Sequence, residues 1–131
     1  MRKLISDMTE VHRQLRGHRF FPTADELREI PAFYAQDNEE PENNTLYAHY
    51  FLDSSHWYVA ELNPRSGEAF GWVCLNGDLR GAEWGYFDLA TLEPLVSMRP
   101  GTLVKRDLEF APTRAHEVLA AVRHKLNGSE D

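Results

Sequence analysis

Leu46-Tyr47-Ala48-His49-Tyr50-Phe51-Leu52, Asp53-Ser54-Ser55, and His56-Trp57-Tyr58-Val59-Ala60-Glu61-Leu62 together decide the fold. Two runs rich in aromatic and β-branched residues flank three turn formers, which is the pattern of a β-hairpin. Two further runs follow it. Glu68–Leu75 comes after Asn63-Pro64-Arg65-Ser66-Gly67, and Glu83–Phe87 comes after the turn Asn76-Gly77-Asp78. Connections this short leave successive strands no choice but antiparallel neighbours, so the segment predicts a meander. Strict alternation in the second strand puts Trp57, Val59 and Glu61 on one face, with His56, Tyr58, Ala60 and Leu62 on the other.

Helical signals lie outward from this core. Upstream, Thr23-Ala24-Asp25-Glu26 is a capping box, and Pro31 stops the helix it opens at Ile30. Further upstream, Leu4, Met8, Val11 and Leu15 line one face of a predicted helix that Gly17 would terminate. That narrow stripe serves either to dock on the domain or to pair with a partner's helix. Downstream, Asp88 caps a short helix through Leu89, Leu92 and Leu95, which Pro94 limits, and Pro100-Gly101 forms a turn. Thr102–Phe110 reads as a fifth strand. Thr113 then caps a helix with the stripe Val118, Leu119, Val122 and Leu126, ending near Gly128. The expected fold is α+β: a curved antiparallel meander of about five strands, helices on one side, and an extra N-terminal helix. Residues 1–19 read as an extension, 20–126 as a single α+β domain, and 127–131 as a disordered tail.

The chain has 131 residues, a formal charge of −7 and 42% apolar residues, the make-up of one soluble globular domain. No run reaches the roughly 18 apolar residues of a membrane span, and the N-terminus lacks the apolar stretch of a secretory signal. The lone cysteine, Cys74, sits in the apolar run Phe70–Leu75 and reads as a core residue. These features point to a cytoplasmic protein. Charge is uneven: residues 1–19 carry a local +3, and residues 23–68 a local −8. The densest acidic stretch, Asp37-Asn38-Glu39-Glu40-Pro41-Glu42, reads either as a solvated loop or as a docking surface for a basic partner, through Asp37, Glu39, Glu40 and Glu42. Without a continuous basic stripe, direct nucleic-acid binding is disfavoured.

No phosphate loop, GxSxG elbow or HExxH motif is present. His49 and His56 fall on adjacent strands and can meet across the hairpin with Asp53 nearby. A third ligand would have to come from Glu61 or Glu83, and nothing in the spacing demands it, so neither a metal nor another cofactor is expected. Aromatics are the more suggestive feature, with the three tryptophans spread over successive strands and Gly71 and Gly85 marking a bulge or a close backbone approach. Trp57, Tyr58, Trp84 and Tyr86, interleaved with Glu61, Arg106 and Asp107, can form a ligand- or partner-binding face. They can equally fill the core and pair as structural ions.

A family pattern is carried by Thr23-Ala24-Asp25-Glu26-Leu27, Ile30-Pro31-Ala32-Phe33-Tyr34, Asp53-Ser54-Ser55-His56-Trp57-Tyr58, Phe70-Gly71-Trp72-Val73, Glu83-Trp84-Gly85-Tyr86-Phe87-Asp88-Leu89 and Arg106-Asp107-Leu108. Over about residues 20–118 the chain resembles an uncharacterised domain family of bacterial plasmids, integrated elements and phages. The resemblance implies a mobile-element context and brings no catalytic residues with it. Two functional expectations stand. One is a small acidic accessory protein, a non-enzymatic protein-binding or regulatory module, monomeric or homodimeric through the first helix or an edge strand. The other is a small-molecule binder or small enzyme using an aromatic pocket with embedded carboxylates.

Overall fold

In the computed structural model, which describes residues 3–99 and 101–128, the meander runs through β2 (Ala48–Leu52), β3 (Ser55–Leu62), β4 (Glu68–Cys74) and β5 (Glu83–Asp88). A fifth, two-residue strand, β6 (Lys105–Arg106), pairs antiparallel with Tyr50 and Phe51, giving the order β5-β4-β3-β2-β6. The expected strand ahead of the hairpin breaks at Tyr47. Its first residue, Leu46, instead joins Thr45 in β1 (Thr45–Leu46), which leaves the sheet to pair with β7 (Thr113–Arg114). The helices are α1 (Arg13–Arg16), α2 (Ala24–Glu29), α3 (Leu89–Leu92) and α4 (Ala115–Gly128). No helix among the described residues is long and apolar enough to cross a membrane.

Turn chemistry sets the strand ends. Asp53 (φ 53°) turns the β2–β3 hairpin, and Asn76 (φ 55°) with Gly77 (φ 72°) opens the β4–β5 connection. The Gly77 N–H donates to the Ser54 carbonyl at 2.9 Å, clamping these two turns together at one end of the sheet.

β3 departs from strict alternation. Val59 pairs with Gly71 and Glu61 with Phe70, so Ala60 is an extra, bulged residue. Parity flips there: Leu62 joins the face of Trp57 and Val59, and Glu61 moves to the face of Tyr58. Gly71 sits opposite the bulge, where an added Cβ would fall 1.7 Å from the Tyr58 carbonyl oxygen; no such approach constrains Gly85. A side chain at 71 is therefore excluded by backbone, which explains one of the two strand glycines.

Apolar segments cover both sheet faces rather than one. Tyr50, Trp57, Val59, Leu62 and Ala69 pack under Ile5, Phe20, Phe21, Leu27 of α2, and Leu89 and Leu92 of α3. Tyr58, Ala60, Trp72 and Cys74 pack under Leu46 and under Ala115 and Leu119 of α4. Two half-cores share one sheet. Cys74 is fully buried, and burial pushes its thiol up, as a core cysteine requires.

The Thr23 box forms as expected, with Glu26 N–H on Thr23 Oγ1 and Thr23 N–H on Glu26 Oε1, and α2 stops before Ile30. Asp88 caps α3 through the Ala90 N–H. The first helix is a correction: Ile5–Asp7 is a 3-10 turn and α1 is a single turn closed by Gly17 (φ 84°), while Met8, Val11 and Leu15 stay exposed. Buried carboxylates take the backbone there instead of a helical ladder. Glu93 accepts from the Val11 and His12 N–H groups, and Glu10 from those of Phe20 and Phe21. Arg16, its side chain wholly buried, bridges Glu93 at 3.0 Å and Glu10 at 3.5 Å and donates to the Val104 and Glu93 carbonyls. This network and the buried Ile5 fasten the N-terminal segment onto the sheet.

Thr113 pairs as strand rather than capping α4, and its hydroxyl turns back to the Ala111 carbonyl. The helix runs to Gly128, so Asn127 and Gly128 belong to it, while 129–131, the rest of the expected tail, lie outside the described residues. So do Pro100 of the expected turn and the Leu126 side chain. The expected long fifth strand shrinks to β6 plus an isolated Val96–Leu103 bridge, because Asp107 opens a tight turn: its N–H donates to the His49 carbonyl and its Oδ1 accepts from Glu109 N–H.

Candidate functional site

The β2–β3 register places His49 opposite Tyr58, which makes His56 its diagonal neighbour on the same face. His49 and Tyr58 stack nearly parallel, ring centroids 4.1 Å apart. The backbone bond from the Asp107 N–H to the His49 carbonyl brings the Asp107 carboxylate to the Nδ1 edge of the ring. A three-residue chain results: Asp107 Oδ2 lies 3.1 Å from His49 Nδ1, and His49 Nε2 lies 2.9 Å from His56 Nδ1.

The chain's polarity follows from donor counting. A carboxylate only accepts, so His49 Nδ1–H donates to Asp107. In a neutral ring Nε2 is then the acceptor, and His56 Nδ1–H donates to it. Neutral His56 is left with a lone pair on Nε2. Both rings are held neutral. Burial lowers the His49 pKa against the opposing Asp107 hydrogen bond, and burial, with His49 and Lys125 adding to it, lowers that of His56 to about 4.

His49, Phe51, His56, Tyr58 and Asp107 line a cavity of about 590 Å³ with Asp53, Ser54, Val122 and Lys125. The hairpin turn and the outer end of α4 form its rim. That volume lies within the range of small-molecule sites, roughly 300–1,000 Å³. Among the described residues, no group of three His, Cys, Asp or Glu side chains has the geometry to hold a metal ion. His49 and His56 do meet across the hairpin, but they spend a nitrogen each on one another.

The residues singled out in the sequence separate into five places. Tyr58 and Asp107 line the cavity. Trp57 is buried on the opposite sheet face, within the other half-core. Glu61, also buried, accepts from the Tyr34 N–H at 3.0 Å and the Gln36 N–H at 2.9 Å, anchoring the 31–37 segment. Arg106 makes a two-pronged bond to Glu26 at 3.0 and 2.7 Å. Burial opposes ionisation of Glu26, but the Arg106 and Thr23 hydrogen bonds outweigh it and hold the carboxyl below its ordinary range. Trp84 and Tyr86 join Phe70 and Phe33 in an aromatic strip along β5, at the sheet edge.

The acidic loop is exposed throughout. Glu39 lies 3.8 Å from Arg114 and Glu42 3.5 Å from Arg123, so half of its carboxylates face this chain's own cations; Asp37 and Glu40 point outward. Two residues of the site, His49 and His56, were legible from the hairpin pattern as a pair. Lys125 carried no sequence signal beyond a charge in the last helical turn.

No family model, no curated protein and no solved structure matches this chain.

Proposed function

We propose that this protein binds a small molecule in the His49–His56–Asp107 cavity and presents the Nε2 of His56 to it as a hydrogen-bond acceptor. The observation that carries this reading is the hydrogen-bonded chain itself, which fixes the tautomer of a half-buried histidine at a cavity wall. With a pKa of about 4, His56 is unprotonated at neutral pH and its Nε2 is free to accept a hydrogen bond. A fragment screen observed by amide NMR tests the reading: hits clustering at residues 49–58, 107 and 122–125 support it. A screen whose hits all map elsewhere overturns it.

A second reading, an accessory module that docks on a protein partner, draws on a different observation. Tyr34 and Tyr86 stay 67% and 55% exposed beside Phe33 along β5, the strand that ends the sheet order, next to the acidic loop. For such a module, the resemblance to a plasmid and phage domain family implies a mobile-element context. Pull-down with and without a Tyr34→Ser, Tyr86→Ser double substitution separates this reading from the first, because neither residue lines the cavity.

A further inference from the structure

The chemistry of the cavity wall narrows the ligand, on the footing of the small-molecule reading above. Phe51, Tyr58 and Val122 supply apolar and aromatic surface. His56 supplies an acceptor, which calls for a donor on the ligand. Lys125 is the one lining cation among the described residues. Neither lining carboxylate lies within ion-pair distance of Lys125: Asp107 is hydrogen-bonded to the neutral His49 and keeps its charge, and Asp53 faces Arg99 at 3.8 Å. The Lys125 charge is thus left to attract an anion from the cavity side. It sits in the last turn of α4, where the helix carbonyls offset part of that charge. A bare inorganic anion has too little to hold it there, and an apolar body must add the rest.

We infer that the cavity takes a small aromatic acid bearing a hydroxyl or N–H donor, its ring against Phe51, Tyr58 and Val122, its donor on His56 Nε2 and its acid group toward Lys125.

The probe is 4-hydroxybenzoate, titrated at pH 7 into the full chain beside benzoate, phenol and inorganic phosphate, with binding followed at the cavity amides. The hydroxy acid binds tightest, and loss of either polar group costs about tenfold, one good polar contact. Phosphate alone does not compete. Lys125→Gln weakens 4-hydroxybenzoate about tenfold more than it weakens phenol. His56→Asn, which keeps the donor to His49 and removes Nε2, weakens 4-hydroxybenzoate more than benzoate. Equal affinity for all three aromatics overturns the inference and leaves the cavity reading standing. Silence from all three overturns it as well, and the cavity reading then falls only if the fragment screen also finds nothing there.

Discussion

Acid should unfold this protein partly through one histidine. His56 is held neutral in the folded state with a pKa of about 4, against an ordinary 6.5 once unfolded. A depressed folded value means that the unfolded chain binds the proton first, so stability is full above about pH 6.5 and falls as pH drops toward 4. At 1.36 kcal/mol per pH unit the ceiling is about 3 kcal/mol. Water reaches the ring from the cavity side and His49 shares the burden, which brings the expectation to about 1–2 kcal/mol. Three further groups face His56 there: Lys125 from α4, Tyr58 from its own strand and Asp107 through His49. Urea unfolding followed by tryptophan fluorescence at pH 7.5 and pH 4.5 measures the loss. The control is His56→Asn, which keeps the Nδ1-type donor and cannot be protonated. Carboxylate titrations are common to both proteins and cancel in the comparison. Wild type should lose about 1–2 kcal/mol more than the variant over this interval. Equal losses would refute the neutral, half-buried His56 on which the site is built.

Other perturbations probe the frame that holds the site. Gly71→Ala forces a methyl onto the Tyr58 carbonyl and should cost several kcal/mol, about 10 °C or more in melting temperature, whereas Gly85→Ala should change stability by less than about 1 kcal/mol. Arg16→Met strands two buried carboxylates and should cost about 3–5 kcal/mol by chemical denaturation; a loss under 1 kcal/mol would mean the network is solvated. Glu61→Ala orphans the Tyr34 and Gln36 N–H groups, for about 2–4 kcal/mol, and hydrogen exchange should quicken at those two amides ahead of the strand core.

The meander was legible because its turns are written in short, unambiguous residues: Asp53-Ser54, Asn63 to Gly67, Asn76-Gly77. The Thr23–Glu26 box and the Asp88 cap were legible for the same reason, since both are contacts within a few residues. The bulge at Ala60 was not, because alternation continues through it in the sequence and only the partner strand shows the extra residue. That single slip exchanged the faces of Glu61 and Leu62 and turned a candidate site acid into a loop anchor. The N-terminal helix failed on a long-range competitor, since Glu93 is 82 positions from the Val11 N–H it accepts from. The site shows both cases at once. His49 and His56 were readable as cross-strand neighbours, while Asp107 reaches His49 across 58 positions through a strand only two residues long.

The most direct test of the site is a long-range proton–nitrogen NMR spectrum of the histidine side chains at pH 7. The account predicts that His49 and His56 are both neutral and both carry their proton on Nδ1, with His56 Nε2 bare and responsive to a cavity ligand. A protonated His56, or a proton on its Nε2, would contradict the Asp107–His49–His56 chain and the acceptor it presents to the cavity.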